Sequence, residues 1–274
     1  MHLRPAAPRG SPGASPSCSL ARMLALTRAV PSSLARCELT HLPRVAIDVG
    51  RARAQHERYE EALRRLGVEV VRLPPTDELP DSVFVEDAAV VVDELAVLTR
   101  PGAESRRAEI PSVAQALARH RDLAFVAAPG TLDGGDVLRL GRRLFVGQSA
   151  RTDEEGIAQL RDLLAPFGYS VEAIAVTGCL HLKSAVTAID DATIVLNPAW
   201  VDASRFGVQR TIEVDPSEPM SANVLAIAGT VLVNASAPRT AARIAASGHA
   251  VVAVDQSELA KAESGLTCCS LLLA

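Results

Sequence analysis

Aromatic residues are scarce in this chain: Phe, Tyr and Trp together make up 3% of it, with a single Trp. The apolar 48% is mostly Ala, Val and Leu, broken every few residues by charge, so no run of about 18 or more apolar residues is available to span a bilayer. A long basic tract is missing too. With 28 Lys and Arg against 32 Asp and Glu, the formal net charge is −4, which gives no basis for a phosphate-tracking nucleic-acid surface. Cysteines number five, an odd count that includes the vicinal pair Cys268 and Cys269. That count argues against a paired extracellular disulfide framework and for a reducing, cytoplasmic setting. What is present is a chain of 274 residues, enough for one large packed domain or two small ones.

Residues 1–22 are rich in Pro, Ser, Gly and Ala and lack the apolar centre of a secretory signal, so they read as a disordered leader or a start assigned too early. Met23 directly precedes the alternating segment 24–28 and is the alternative initiator. A transit peptide is the rival reading, because the leader holds arginine and no acid, but nothing in it forms an amphipathic face. A single domain is then expected over residues 23–274.

One unit recurs: a small or acidic polar group, an alternating strand, a tight turn, a second strand and a loop. Its copies are VFVEDAAVVVDELAVLTRPG (83–102), LDGGDVLRLGRRLFVGQSAR (132–151), HLKSAVTAIDDATIVLNPAW (181–200) and SANVLAIAGTVLVNASAP (221–238). Taking Asp87, Asp136, Ser184, Asn223 and Cys268 as equivalent marks, the copies are spaced by 49, 48, 39 and 45 residues. Turn pairs Asp93-Glu94, Gly141-Arg142, Asp190-Asp191 and Ala228-Gly229 interrupt the β-rich runs and predict four hairpins. Helices are expected at 51–66, 106–119, 152–167 and 238–247, the third opened by a Thr152/Glu155 capping box and the last by Pro238. The terminal strand Thr267–Leu273 and the first strand Leu24–Arg28 each lack a neighbour in sequence and should pair with each other. That pairing closes a ring without free sheet edges, and the prediction is a five-bladed α/β propeller. An open α/β sandwich with repeated hairpins is the alternative.

The equivalent marks are expected to begin the inner strands of consecutive units, so a five-fold ring aims them at one central channel. The positions at or beside them carry Glu86 and Asp87, Asp133 and Asp136, His181, and Cys268 with Cys269. Each has an ordinary structural explanation: a buried small hydrophobe for cysteine, a satisfied core group for histidine, or a turn in which the LDGGD glycines supply positive φ. Their convergence is harder to explain that way. Glu86 and Asp87 lie inside an apolar run, where uncompensated burial costs roughly several kcal/mol each, so a cation is expected beside them.

The segments LPDSVFVEDAAVV, TRPGAESRR, TLDGGDVL, FVGQSART, HLKS and GLTCCSLL resemble the dimethylarginine dimethylaminohydrolase family of the pentein, or guanidino-modifying, superfamily. The resemblance runs from about Met23 to the C-terminus and implies a five-fold pseudo-symmetric fold. It further implies a nucleophile at Cys268, a general acid and base at His181 and a histidine-orienting acid at Asp133. Guanidinium contacts fall on Asp81, Glu86 and Asp87, and contacts to the amino-acid end on Arg106 and Arg151. A lid-loop contact falls on Leu39 and a main-chain contact on Ala262. The implied reaction is hydrolysis of an N-methylated arginine to citrulline and a methylamine through a covalent cysteine thiouronium, with no metal or organic cofactor. Zinc at Cys268 and His181 is expected at most as an inhibitor. The implied partner is a small guanidino substrate, with no nucleic acid and no membrane, and the protein is expected as a monomer or homodimer. Arginine deiminase, an amidinotransferase and a non-catalytic binding module of the same superfamily are the alternatives.

Overall fold

A computed structural model describes residues 23–274, so the leader expected at 1–22 lies outside the described residues. Five three-stranded sheets share one plan, in which an inner strand pairs antiparallel with a middle strand and the middle strand pairs parallel with an outer one. In chain order the first complete unit holds β3 (Ala89–Val91), β4 (Leu95–Leu98) and β5 (Asp122–Phe125). The second holds β6 (Val137–Leu140), β7 (Arg143–Gln148) and β8 (Ser170–Ala175). The third holds β9 (Val186–Asp190), β10 (Thr193–Leu196) and β11 (Arg210–Glu213), and the fourth β12 (Leu225–Ile227), β13 (Thr230–Asn234) and β14 (Ala250–Val254). The fifth unit is assembled from both ends of the described chain: β15 (Leu271–Leu273) pairs antiparallel with β1 (Leu24–Arg28), which pairs parallel with β2 (Glu69–Leu73).

Parallel pairing requires a crossover, and helices supply four of the five. They are α1 (Val49–Arg65), α2 (Ile110–Leu117), α3 (Glu154–Leu164) and α5 (Pro238–Ala246). The third unit crosses on a short 3-10 turn at Ala203–Phe206, which accounts for its 39-residue repeat. Hydrophobic burial closes the ring, because each of the five core clusters straddles two neighbouring units. Leu26 and Leu271 pack with Ala89 and Leu98, Val97 with Val146, Phe145 with Ile194, Val195 with Val231, and Leu232 with Ala25 and Tyr59. No unit could bury its own face alone, so the closed propeller, rather than the open sandwich, is the arrangement these sequences specify.

Three local expectations are corrected. Helix α3 is capped by Asp153, whose side chain accepts the amide of Gly156, and not by Thr152. The Thr152 hydroxyl instead donates to the buried carboxylate of Asp136, a stronger acceptor than a helix-end amide is a donor. The equivalent marks do not begin the inner strands: most sit on a single helical turn just before them, at Val85–Ala88, Gly134–Asp136, α4 (Leu182–Ala185) and Thr267–Cys269. The last strand accordingly starts at Leu271 and not at Thr267. Finally, Gly134 and Gly135 do not take positive φ. They are glycines for space: a Cβ on Gly134 would lie 2.0 Å from the Glu86 carbonyl oxygen, and one on Gly135 would lie 2.6 Å from Asp87 Oδ1.

Candidate active site

The four helical turns that precede the inner strands carry the chemistry. Because the strands run side by side around the axis, the turns meet at one end of the channel. Asp81, Asp87, Arg106, Arg151, His181, Ala262 and Cys268 line a single narrow cavity there. Glu86 and Asp133 stand behind its wall, bonded to residues of the neighbouring turns. Leu39 is half-buried against the hydrophobic cluster beneath and does not line the cavity, although its neighbour Glu38 does.

The protein itself supplies the cations expected beside Glu86 and Asp87. Lys183 donates to Glu86 Oε1, and the Thr267 hydroxyl donates to Glu86 Oε2 at 2.7 Å. Burial pushes the Glu86 carboxyl above its ordinary value, and Lys183 pulls against that push. Asp87 accepts from Arg106 through Oδ2 and from the Gly135 amide through Oδ1 at 3.0 Å. Burial would raise Asp87, but the charges of His181 and Arg106 outweigh it and hold the carboxyl at about 2. Arg106 spends its other donors on Glu109, at 3.0 and 2.9 Å, and on the carbonyls of Asp81 and Phe84. Its guanidinium therefore braces the wall. Arg151 is less committed, with one side-chain bond, to the Thr40 hydroxyl at 3.3 Å. Burial also raises Asp81, whose carboxylate accepts the Glu38 amide.

His181 caps the start of α4, and its Nε2 lies 3.1 Å from Asp133 Oδ2, leaving Nδ1 on the side of Asp87 at 3.9 Å. Asp133 is oriented in turn by the Gly102 amide on its other oxygen, at 3.0 Å. Burial alone would push the imidazole down. Asp87, Asp136 and Asp133 overcome that and raise it to about 9, so it is a cation at neutral pH. Across the cavity, Cys268 Sγ accepts the Gly265 amide at 3.3 Å. Burial, with Glu86 and Asp87 nearby, pushes this thiol up to about 12. The resting pair is thus an imidazolium facing a neutral thiol. Cys269 points away into the core, where Gln256 approaches its sulfur at 3.7 Å.

Metal-ligand atoms of Asp87, Asp133 and His181 lie within 4.8 Å of one another. The sulfur of Cys268 is not among that group. His181 Nε2 is already held by Asp133, and the cysteine stands on the opposite turn.

Sequence reasoning missed three participants and left a fourth, Asp136, without its partners. Lys183 and Thr267 were visible in HLKS and GLTCCSLL but carried no charge-pattern signal that linked them to Glu86. Asp136 was marked for its place in the repeat and given no partner; it accepts from the Leu182 amide, Ser149 and Thr152. Glu263 was overlooked. It is a non-glycine residue at φ +58°, and its carboxylate accepts the amides of Thr40, His41 and Leu42 at 3.0, 2.5 and 2.5 Å. This contact straps residues 38–42 over the cavity mouth, and only three-dimensional proximity reveals it.

Comparison with known proteins accords with this geometry. The family model described as "N,N dimethylarginine dimethylhydrolase, eukaryotic" matches residues 44–199. The chain is 44% identical to N(G),N(G)-dimethylarginine dimethylaminohydrolase of Streptomyces coelicolor, covering 91% of this chain and 96% of that protein. It is 34% identical to the enzyme of the same name from Pseudomonas aeruginosa, over 82% and 89% of the two chains. Among solved structures, a Cys→Ser mutant of the Pseudomonas aeruginosa enzyme complexed with citrulline superposes with a TM-score of 0.88 at 32% identity, covering 91% of this chain and 98% of that one. The N-terminal domain of a cyanobacterial arginine dihydrolase, 18% identical, shares the fold at a TM-score of 0.83 over 92% and 97% of the chains. With a closed ring of five units, a thiol and imidazole in one cavity and matches along nearly its whole length, this chain belongs to the dimethylarginine dimethylaminohydrolase family.

Proposed function

We propose that the protein hydrolyses N-methylated arginine to citrulline and a methylamine, with Cys268 as nucleophile and His181 as proton donor and acceptor. The observation that carries this reading is the unbalanced charge of the cavity region. Asp81, Glu86, Asp87, Asp133 and Asp136 converge there with Glu109 behind them, against Arg106, Arg151, Lys183 and the His181 imidazolium, so acids outnumber cations six to four. A planar, permanently charged guanidinium suits such a wall. Its positive charge opposes the burial and, after it, the neighbouring carboxylates that keep the Cys268 thiol protonated, so the thiolate forms when the substrate is in place and its proton leaves to solvent.

Attack of the sulfur on the guanidinium carbon gives a tetrahedral adduct. His181, a cation in the resting site, delivers its proton to the departing nitrogen, and the carbon–nitrogen bond breaks to release the amine. The remaining S-alkylthiouronium is attacked by water, which the now neutral imidazole deprotonates. Collapse expels the Cys268 sulfur and releases citrulline. Arg151 is assigned to the substrate carboxylate, and Arg106 to holding Asp87. Ala262 offers main chain at the rim, and the strap that carries Leu39 covers the substrate. No helix among the described residues is long and apolar enough to cross a membrane. Cys37, Cys179, Cys268 and Cys269 are all free thiols, which supports a reducing, cytoplasmic location. The test is citrulline release by purified protein from asymmetric dimethylarginine, monomethylarginine and arginine. Turnover of the methylated substrates is expected; turnover of arginine alone would reassign the chain to deimination.

A further inference from the structure

Beneath His181 lies a carboxylate that the reaction above does not use. Asp136 is 0% exposed, and each of its bonds runs to a segment that holds another site residue. Its Oδ1 accepts the amide of Leu182 at 2.9 Å and so fixes the backbone immediately after His181. Its Oδ2 accepts the Thr152 hydroxyl at 2.7 Å, and that same hydroxyl oxygen accepts the amide of Asp133 at 3.1 Å. Oδ2 also accepts the Ser149 hydroxyl at 2.6 Å, and the Ser149 oxygen accepts the amide of Arg151 at 3.0 Å. The surroundings are shaped to this carboxylate: a Cβ on Gly147 would lie 2.7 Å from Oδ1 and 2.9 Å from Leu182 Cβ.

We propose that Asp136 is the positioning residue of this site, a single buried anion that fixes His181, Asp133 and Arg151 together and keeps the imidazole in its proton-donating form. The proposal rests on the reading of His181 as the proton donor. Three hydrogen-bond donors converge on a group with no access to water. Burial raises its carboxyl to about 6, with the His181 charge and the three donors pulling against that rise, so it is ionised at neutral pH. The charged groups facing His181 are otherwise accounted for. Asp87 has Arg106 behind it, Asp133 bonds Nε2, and Lys183 on the histidine's own helix is bound to Glu86. Asp81, Glu38, Glu263, Arg151 and neutral Cys268 complete the cavity wall, and the Cys179 thiol donates to the His181 carbonyl at 3.4 Å. Asp136 has no cationic partner except the imidazolium. It therefore acts through the space between the two groups as well as through the backbone, and both effects point the same way.

Asp136→Asn separates position from charge. The amide oxygen can still accept the Leu182 N–H, and the amide nitrogen can donate to Ser149 and Thr152, so the packing is retained while the negative charge is lost. Removing an anion near an imidazolium lowers its proton affinity. The alkaline limb of the kcat/KM profile, where His181 loses its proton, is therefore expected to move toward lower pH by about one unit. The imidazole signals of His181, assigned by their loss in His181→Gln, should titrate lower by the same amount in the resting protein, a readout that needs no turnover. Thr152→Val, which removes the hydroxyl through which Asp136 holds the Asp133 amide and so loosens Asp133 from Nε2, should shift both in the same direction by less. An Asp136→Asn protein that loses activity equally at every pH, with the His181 titration in place, would overturn the proposal. If Asp136→Asn does not fold, the proposal falls on a Thr152→Val titration that matches wild type. Should the wild-type protein fail to turn over methylarginines, the proposed reaction fails, but the His181 titration still decides the role of Asp136.

Discussion

The two ends of the central channel are built from the same repeated turns and strands, yet they are chemically opposite. At one end the helical turns bring Asp87, His181 and Cys268 to a cavity with little free space. At the other end a much wider cavity is lined by the strands themselves, chiefly Val90, Leu138, Ala188, Leu225 and Leu272. Glu86, Lys183 and Thr267 form the partition between them. The wider cavity has the greater volume, but its charged lining residues largely bond to one another, Arg139 to Asp93 and Lys183 to Glu86. The lesson is that a strand's side chains alternate between faces and mostly satisfy the inter-unit cores, whereas a single helical turn before each strand is free to present polar groups to the axis without disturbing the ladder. Catalytic capacity here belongs to the turns.

That contrast can be broken most severely at Cys268. Cys268→Ser should reduce citrulline formation by roughly a thousandfold or more while the far-ultraviolet circular dichroism and thermal midpoint stay near wild type, because the hydroxyl is a poor nucleophile at this position. Retained turnover would move the nucleophile elsewhere. Next in size is Arg151→Ala, expected to raise KM by about tenfold or more with a smaller change in kcat, in keeping with binding of the substrate carboxylate. An unchanged KM with a collapsed kcat would contradict that role.

Glu263→Gly sharpens the comparison at the cavity mouth. Glycine suits the left-handed backbone that Glu263 occupies at φ +58°, so the thermal midpoint should hold or rise. Loss of the bonds to residues 40–42 should nevertheless raise KM several-fold, by about 1 kcal/mol of binding, and speed trypsin cleavage after Arg36 and Arg44, which are already exposed but lie in a strap held by this carboxylate. Cleavage and KM both unchanged would show that the strap does not depend on this carboxylate. The smallest effect is expected for Cys269→Ser. Its sulfur sits in the core beside Gln256, so activity should remain within a few-fold of wild type and any cost should appear as about 1 to 3 kcal/mol of stability, read by denaturant titration.

Much of this architecture was legible in the sequence, for a physical reason. The alternation of Val, Ile and Leu in four hairpins, repeated at near-constant spacing, leaves few ways to bury every face, and the unpartnered strand 24–28 needed the C-terminal strand to complete a sheet. Adjacent carboxylates at Glu86 and Asp87 within an apolar run signalled a site because their burial is costly. What could not be read was which cation answers which acid. Lys183 lies nearly a hundred residues from Glu86, and the pairing depends on two turns meeting at the axis. The role of Thr152 illustrates the same limit: local sequence matched a helix cap, and the tertiary fold offered its hydroxyl the buried carboxylate of Asp136. Glycines 134 and 135 read as turn formers and serve as clearance for the chains behind Asp87 and His181. Periodicity fixes elements; the partners of polar groups follow only from the packed ring.

In the proposed reaction the sulfur of Cys268 bonds to the guanidinium carbon during turnover. Rapid acid quench of the full-length protein mixed with asymmetric dimethylarginine, followed by peptide mass spectrometry, tests it most directly. A thiouronium adduct is expected on the peptide holding Cys268, formed together with one equivalent of dimethylamine and absent from Cys268→Ser. Dimethylamine release from wild type with that peptide unmodified at every quench time, or with the adduct on another residue, would contradict it.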